Sequence, residues 1–168
     1  MHKVVKQVGG LPWVWLSVAL VLADQIVKFF IVANIRPYTE HSVIPGFKLT
    51  LAYNTGAAFS FLNSQSGWQV WFFAVIAIIV CVVIVAWLQR LKASQVWLCI
   101  ALACILGGAI GNLVDRLTVG YVIDYSLVYA GNWHWPAFNV ADSAVCVGAV
   151  MLVIDIFLKK KRRHGPNK

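Results

Sequence analysis

Four long runs of apolar residues dominate the pattern of the chain. They cover residues 11–32, 68–88, 96–114 and 137–158. A helix needs about 20 mainly apolar residues to cross a bilayer, and each run has about that length. The pattern therefore predicts an α-helical integral membrane protein with four transmembrane helices. Because the number is even, both chain ends are expected on the same side of the membrane.

Two segments between these runs alternate apolar and polar residues instead. Apolar residues occupy every second position over residues 47–53 and again over residues 119–129. A period of two is typical of a half-buried strand. Pro45-Gly46 predicts a turn before the first segment, and Gly131-Asn132 ends the second. We therefore expect a small β-sheet, formed by the connecting segments 33–67 and 115–136, that lies on the membrane surface.

Composition supports a membrane protein. The chain is 61% hydrophobic and only 12% charged, and its mean hydropathy is +0.78. A soluble domain contains about 25% charged residues, so an ordinary soluble domain and a disordered chain are both excluded. No linker or repeat divides the 168 residues. We expect a single membrane-embedded domain that covers residues 1–168.

Basic residues predict the orientation of the helices. The net charge is +8, and the basic residues concentrate near Lys3 and Lys6, at Arg90 and Lys92, and in the run 159–163. Positive residues flanking apolar spans favour the cytoplasmic side. Both termini are therefore expected in the cytoplasm, with segments 33–67 and 115–136 outside. This distribution argues against nucleic acid as a partner.

The first apolar run also fits a cleavable secretory signal peptide. Lys3 and Lys6 precede it, and Val21-Leu22-Ala23 offers a cleavage site. Apolar residues resume at Ile26, however, and three further spans follow. We therefore expect an uncleaved first transmembrane helix.

Cysteine and histidine residues give no indication of a metal site. All four cysteines lie inside apolar runs and none forms a C-x-x-C pair. The histidines lie in the tails and the outer segments without metal-ligand spacing. We expect no metal, no cofactor and no disulfide framework.

Charged residues within the spans need partners, because even lenient scales set their cost at about 2.5–3.5 kcal/mol near the bilayer centre. Asp24 and Lys28 are four residues apart on one helix face and can pair. A structural ion pair and a functional role are equally open for them. Asp155 lies beside the C-terminal lysines and is interpreted as an interfacial charge.

The end of the third span combines small and polar residues. Ala103, Gly107 and Gly111 form a ridge that favours close helix packing. A polar stripe is expected to point at one spot near the outer interface, and its residues are Gly108, Asn112, Asp115 and Arg116.

Two further aspartates lie near the same interface. Asp142 follows Asn139 by three residues, so the two share a helix face. If the helix starts at residue 137, Asp142 lies about 7 Å along it from that start. Asp124 interrupts an apolar alternation, as either a solvated edge residue or an inward-facing acid. Two neighbouring carboxylates share a proton, so one can donate while the other accepts. Aspartic proteases use this arrangement.

These motifs, taken in order, resemble those of the lipoprotein signal peptidases (signal peptidase II). The resemblance extends over residues 11–158. It rests on the blocks Asp24-Gln25-x-x-Lys28, Asn54-Thr55-Gly56-Ala57-Ala58-Phe59, Gly107-Gly108-x-x-Gly111-Asn112-x-x-Asp115-Arg116, Val122-Ile123-Asp124 and Phe138-Asn139-Val140-Ala141-Asp142-Ser143.

The resemblance implies an aspartic endopeptidase of the bacterial inner membrane, with four spans, an extracytoplasmic β-cradle and the catalytic dyad Asp124 and Asp142. It implies a prolipoprotein substrate whose cysteine carries diacylglycerol, cut just before that cysteine at the periplasmic face. It also implies inhibition by globomycin, contact with membrane lipid and a monomer. The supporting or substrate-binding positions it implies are Asp24, Lys28, Asn54, Gly56, Gly108, Asn112, Asp115, Arg116, Asn139 and Ala141.

Two departures from the family pattern leave substrate preference open: Tyr125 stands where Phe is commoner, and Val145 where Ile is expected. A rival interpretation is a small transporter or proton relay that uses Asp24, Lys28 and Arg116. A relay would spread acids through the membrane depth. Four of the six acids instead lie near or outside the outer interface, which favours surface chemistry. A non-enzymatic lipoprotein-binding scaffold is a third interpretation.

Overall fold

The computed structural model describes residues 9–56, 67–92 and 94–163, with side chains described up to Lys159. Several positions used above lie outside the described residues. They are Lys3, Lys6, positions 57–59 of the family-like block, and the tail after residue 163.

Four helices form the body of the described chain. They are α1 (Val14–Asn34), α2 (Trp68–Arg90), α3 (Val96–Thr118) and α4 (Val140–Arg163). A short 3₁₀ turn, Leu11–Trp13, leads into α1. All four helices are long and apolar enough to cross a membrane. The expectation of four transmembrane helices is confirmed.

All four helices differ from the predicted bounds by a few residues, and two of these differences bear on the site. Helix α3 continues to Thr118, beyond the predicted end at residue 114. Helix α4 begins at Val140 and not at residue 137. The later start has a clear cause, because Phe138 exchanges backbone hydrogen bonds with a strand residue, Ser126, and so cannot adopt helical pairing.

A four-stranded antiparallel sheet connects the helices at one end of the bundle. Its strands are β1 (Glu40–Ile44), β2 (Phe47–Asn54), β3 (Val122–Ala130) and β4 (Trp133–His134), in the spatial order β1-β2-β3-β4. Strand β2 matches the alternating segment, and Pro45-Gly46 forms the turn before it. The alternation over residues 119–129 overextends β3 at its start, because Val119 caps α3 and Gly120 turns the chain with a φ of 82°. The short strands β1 and β4 were not predicted.

Helix α3 is the centre of the bundle and packs against α1, α2 and α4. Its glycines allow this close approach. A Cβ on Gly107 would lie 3.0 Å from the backbone oxygen of Ser17 in α1, and a Cβ on Gly108 would lie 2.2 Å from the backbone oxygen of Ala141 in α4. The predicted ridge of small residues therefore faces α1, and its neighbour Gly108 faces α4.

The two faces of the sheet have different neighbours. One face packs on the outer end of α1 through a buried cluster of Ile31, Leu51 and Tyr125. Side chains alternate between the faces of a strand, so Asp124 lies on the opposite face from Tyr125. Asn54 pairs with Val122 in the β2–β3 register, which places it on the same face as Asp124. This second face borders a cavity.

At the other end of the molecule, Asp155 in α4 forms an ion pair of 2.5 Å with Lys159, one helical turn further on. The lysine is half exposed. This geometry agrees with the interpretation of Asp155 as an interfacial charge.

Candidate active site

Asp124 lies in β3 and faces inward, with only 3% of its surface exposed. The alternative of a solvated edge residue is therefore wrong. Its Oδ2 accepts a hydrogen bond from Asn54 Nδ2 at 3.0 Å, and its Oδ1 accepts one from Asn139 Nδ2 at 2.8 Å. Each carboxylate oxygen thus has one amide donor.

Asp142 lies in the first turn of α4. Asn139 precedes the helix as its N-cap, and the two residues bond reciprocally. The backbone N–H of Asp142 donates to Asn139 Oδ1 at 2.8 Å, and the backbone N–H of Asn139 donates to Asp142 Oδ2 at 3.1 Å. This is the geometry of a capping box. Asn112 Nδ2 donates to the remaining oxygen, Oδ1, at 2.7 Å.

Three asparagines present their amide N–H groups to the two carboxylates, and each is held in that orientation by a group that can only donate. Gly56 N–H donates to Asn54 Oδ1, and Asp142 N–H donates to Asn139 Oδ1. The ammonium of Lys28 lies 3.3 Å from Asn112 Oδ1. Since a backbone N–H and an ammonium cannot accept, each side-chain oxygen is occupied and each amide nitrogen faces a carboxylate.

Both carboxylates line one cavity of about 240 Å³. Asn54, Asn112 and Arg116 form its polar part. Arg116 donates through Nη2 to the backbone oxygen of Gly56 at 3.0 Å. The remaining wall comes from β3, α4 and the segment before α4, and its residues are Val122, Trp135, Pro136, Ala137, Phe138, Ser143 and Cys146.

The environment of Asp124 favours its neutral form. Burial, followed by the charge of Asp142, raises the pKa of Asp124 from 3.8 to about 7. Among the described residues, no basic side chain forms a salt bridge with Asp124 or with Asp142. We call these two residues the carboxylate pair.

A second polar group lies beside the carboxylate pair, between α1 and α3. Lys28 contacts Asp24 and Asp115, each at an N–O distance of 2.7 Å. All three side chains are at least 97% buried. With its contact to Asn112, the Lys28 ammonium has three partners for its three hydrogens. We call Asp24, Lys28 and Asp115 the ion cluster.

The ion cluster also holds the neighbouring elements in place. Asp24 Oδ1 accepts the backbone N–H of Ala141 at 2.9 Å, and Asp115 Oδ2 accepts the backbone N–H of Ile123 at 3.1 Å. The first contact positions the first turn of α4, and the second positions the start of β3. The carboxylate pair sits on these two elements.

The residues of the predicted polar stripe on α3 are divided between the cavity of the carboxylate pair and the ion cluster. Asn112 and Arg116 line the cavity, whereas Asp115 points to Lys28. The expectation that all of them meet at one spot is therefore wrong for Asp115. Residues four apart on a helix are offset by about 40°, and residues three apart by about 60° in the other direction. Asp115 consequently faces α1.

The predicted positions that carry small residues contribute through their backbone atoms or through the space that they leave. Gly108 leaves room for Ala141, whose N–H bonds Asp24. Gly56 supplies the N–H that orients Asn54 and the oxygen that binds Arg116.

Two contacts were missed by sequence reasoning. Gln25 Nε2 donates to Asp115 Oδ1 at 2.8 Å, and Val140 N–H donates to the hydroxyl of Tyr125 at 3.2 Å. Gln25 was visible only as part of a motif block, and Tyr125 only as a departure from the family pattern. Burial raises the pKa of Tyr125 to about 12, so the hydroxyl stays neutral.

The family described as Signal peptidase (SPase) II matches residues 16–158 of the chain. A lipoprotein signal peptidase of Pseudomonas aeruginosa is 55% identical over 159 residues, with 94% of each chain covered. A lipoprotein signal peptidase of Pseudomonas fluorescens is 56% identical over 155 residues, with 91% of each covered.

Solved structures share the fold. One bacterial membrane enzyme aligns with a TM-score of 0.82 and 25% identity over 94% of each chain. Another aligns with a TM-score of 0.75 and 27% identity, covering 86% of this chain and 92% of the other. Nothing in these comparisons supports the transporter interpretation. The chain therefore belongs to the signal peptidase II family, and it removes signal peptides from prolipoproteins.

Proposed function

We propose that Asp124 and Asp142 are the catalytic pair of a metal-independent aspartic peptidase. The observation that carries this proposal is that two carboxylates from separate elements, Asp124 buried and Asp142 partly buried, line one cavity and both bond Asn139. Two acids that share a site can divide the roles of general acid and general base. Within the described residues, no group of three or more His, Cys, Asp or Glu side chains is placed to hold a metal ion.

The surroundings of the pair assign the two roles. Asp142 lies in the first turn of α4, where the helix dipole favours negative charge. Asp124 lies in a strand without that benefit and is the more buried of the two, which favours its neutral form. We therefore assign Asp142 as the resting carboxylate and general base, and Asp124 as the protonated general acid.

The reaction then follows from these roles. Asp142 takes a proton from water as the water oxygen attacks the scissile carbonyl carbon. Asp124 gives its proton to the carbonyl oxygen, which forms a neutral tetrahedral intermediate. When the C–N bond breaks, Asp142 returns its proton to the leaving amine and Asp124 regains one from the intermediate. Both residues end in their starting states.

Arg116 is suited to bind a substrate oxygen. Its guanidinium lies in the cavity wall, and the Nε atom is buried without a hydrogen-bond partner among the described residues. A positive charge in the wall of the cavity can stabilise negative charge that develops on a reacting carbonyl oxygen. The other supporting positions act on the pair through the contacts described above: Asn54, Asn112 and Asn139 as donors, Gly56, Gly108 and Ala141 through the backbone, and the ion cluster as an anchor.

The location of the pair fits a lipid-modified substrate. The pair lies at the end of the bundle where the sheet joins α3 and α4, the end that the basic residues place outside. Acyl chains on a diacylglyceryl cysteine hold that residue at headgroup depth, so the peptide bond just before it lies at the same level. We propose cleavage there, at the periplasmic face of the bacterial inner membrane.

The proposal has further parts, which the family resemblance and the positions of the basic residues support. The enzyme is a monomer of one domain, residues 1–168, in contact with membrane lipid and with both termini in the cytoplasm. The cavity is also the expected site of inhibition by the cyclic peptide globomycin.

The proposal is tested with purified protein in detergent and a diacylglyceryl-modified prolipoprotein, scored by gel shift. The parent chain should cleave it, while Asp124→Asn and Asp142→Asn should give no detectable product although both remain folded. Asp155→Asn is the matched control and should cleave normally. Cleavage that survives in either of the first two variants would overturn the aspartic mechanism.

Metal independence is tested in the same assay. A chelator such as EDTA should leave the rate of the parent unchanged. A large loss that added divalent metal restores would contradict the proposal.

A further inference from the structure

The segment of residues 135–138, which we call the rim segment, runs antiparallel beside β3 just before α4. Phe138 and Ser126 exchange two backbone hydrogen bonds of 3.0 and 2.8 Å. Further along, Trp135 N–H donates to the backbone oxygen of Val128 at 2.8 Å. Pro136 has no N–H to contribute. The rim segment is therefore a short extension of the sheet at the edge of the cavity.

Ala137 presents its backbone to the other side. In an antiparallel pair, residues whose N–H and C=O face the partner strand alternate with residues whose groups face away. Phe138 faces β3 with both groups, so the groups of Ala137 face away from β3. Ala137 is partly exposed and lines the cavity that holds the carboxylate pair. Within residues 9–56, 67–92 and 94–163, neither its N–H nor its C=O has a hydrogen-bond partner.

We propose that Ala137 is the docking point for the backbone of the substrate, which binds as an added strand along the rim segment. The Ala137 N–H donates to a substrate carbonyl, and the Ala137 carbonyl accepts a substrate N–H. Strand addition to an open sheet edge is a common mode of peptide recognition. This inference rests on the proposed function, because it takes the cavity as the place where the scissile bond lies.

The occupant follows from the chemistry of the cavity. A scissile peptide bond has to be extended for water to reach its carbonyl carbon. An extended peptide also carries an N–H and a C=O that can pair with the C=O and N–H of Ala137. The carboxylate pair and Arg116 line the same cavity as the rim segment, so a strand paired with Ala137 lies beside them. Backbone pairing reads no side chain, so one site can accept precursors of different sequence.

The first test requires no change to the enzyme. Diacylglyceryl-modified substrate peptides are made with one backbone N-methyl group at each position around the scissile bond in turn. Binding is measured on Asp124→Asn, and cleavage on the parent. Pairing with Ala137 predicts that affinity falls about tenfold at one position, the residue whose N–H donates to the Ala137 carbonyl, and changes little at its two neighbours, whose N–H groups face away. Uniform sensitivity, or sensitivity only to the length of the acyl chains, would overturn the inference.

The second test removes the donor of the rim segment. Ala137→Pro deletes the N–H, whereas Ala137→Ser keeps it and serves as the matched control. The proline variant should raise KM about tenfold with kcat within about twofold. The serine variant, which keeps the backbone N–H, should show a clearly smaller rise in KM than the proline variant. Equal KM values for the two variants would overturn the inference.

The two measurements separate this inference from the proposed function. Binding that is sensitive to N-methylation at that one position, together with a parent that does not cleave, would support the rim segment and contradict the catalytic proposal. Normal cleavage with equal sensitivity at every position would support the catalytic proposal and contradict the rim segment.

Discussion

The carboxylate pair and the ion cluster are neighbours with the same chemical groups and opposite electrostatic design. In the ion cluster, two buried carboxylates hold one ammonium between them at 2.7 Å. In the carboxylate pair, two largely buried acids have only neutral amide donors and border an open cavity. The carboxylates of the ion cluster share a cation, whereas no basic side chain among the described residues forms a salt bridge with the carboxylate pair. Such an unfavourable arrangement is typical of a functional site.

Asn112 and Ala141 link the two regions. The amide of Asn112 accepts from Lys28 and donates to Asp142, and the N–H of Ala141 bonds Asp24 one residue before Asp142. The ion cluster therefore holds the carboxylate pair in position. From this comparison we expect changes in the ion cluster to alter mainly stability, and changes in the carboxylate pair to alter mainly activity.

The largest effect on stability is expected for Lys28→Met. The substitution leaves Asp24 and Asp115 buried without their shared cation, which costs about 3–5 kcal/mol. Thermal unfolding in detergent measures this loss. Lys48→Met is the matched control, because the Lys48–Glu40 pair is exposed, and its melting temperature should stay at the parental value. Equal melting temperatures for the two variants would remove the distinction between a stabilising ion cluster and a surface pair.

An Asp→Asn substitution should lower stability in the ion cluster, but it should not lower stability in the carboxylate pair. Asp115→Asn removes a charge that Lys28 and Ile123 N–H contact, so it should lower stability by about 1–3 kcal/mol. Asp124→Asn removes a carboxylate whose ionisation burial and Asp142 disfavour, so above pH 7 it should preserve or raise the melting temperature. Unfolding of both variants at pH 8 checks this. A destabilised Asp124→Asn beside an unchanged Asp115→Asn would reverse the comparison.

The pair should also make the protein sensitive to pH. Asp124 has a pKa of about 7 when folded, above its ordinary value of 3.8, so the folded chain binds the proton more tightly than the unfolded chain. The contribution of Asp124 to stability is therefore greatest below pH 3.8 and declines as pH rises through about 7.

The rate of cleavage should also depend on whether Asp124 is protonated. The rate is expected to peak below pH 7 and to fall roughly tenfold per pH unit above it, as Asp124 loses the proton that it donates. Protonation of the other acid should give a second limb at low pH. A pH–rate profile of the parent measures both limbs, and a flat profile from pH 4 to 9 would contradict a shared proton.

The smallest effect is expected for Tyr125→Phe. This change leaves the first N–H of α4 without the hydroxyl that accepts it at 3.2 Å, and it should cost about 1 kcal/mol of stability. The shape of the pH–rate profile should not change, because Tyr125 contacts the backbone of α4 and not a carboxylate. Tyr129→Phe, in the partly exposed part of β3, is the control for loss of a hydroxyl. A shifted pH limb in Tyr125→Phe would place Tyr125 in the catalytic network.

The sequence predicts most of the fold because bilayer crossing depends on local composition. Each span is an apolar run, and strand β2 contains the alternating residues 47–53. The sequence pattern does not predict strands β1 and β4, because β1 is exposed along its whole length and β4 has only two residues. Their pairing depends on the neighbouring strand. The start of α4 is missed for the same reason, because the pairing of Phe138 with β3 delays the helix.

The sequence by itself determined which residues carry unusual polarity, namely the aspartates, asparagines and Arg116 at the outer ends of apolar runs. A charge in an apolar run is costly wherever the chain folds, so it is visible without a structure. Only the tertiary structure decided how these residues are grouped. Asp115 belongs with Lys28, while Asp124 and Asp142 meet around Asn139. That grouping depends on contacts between residues distant in the chain, which no local pattern encodes.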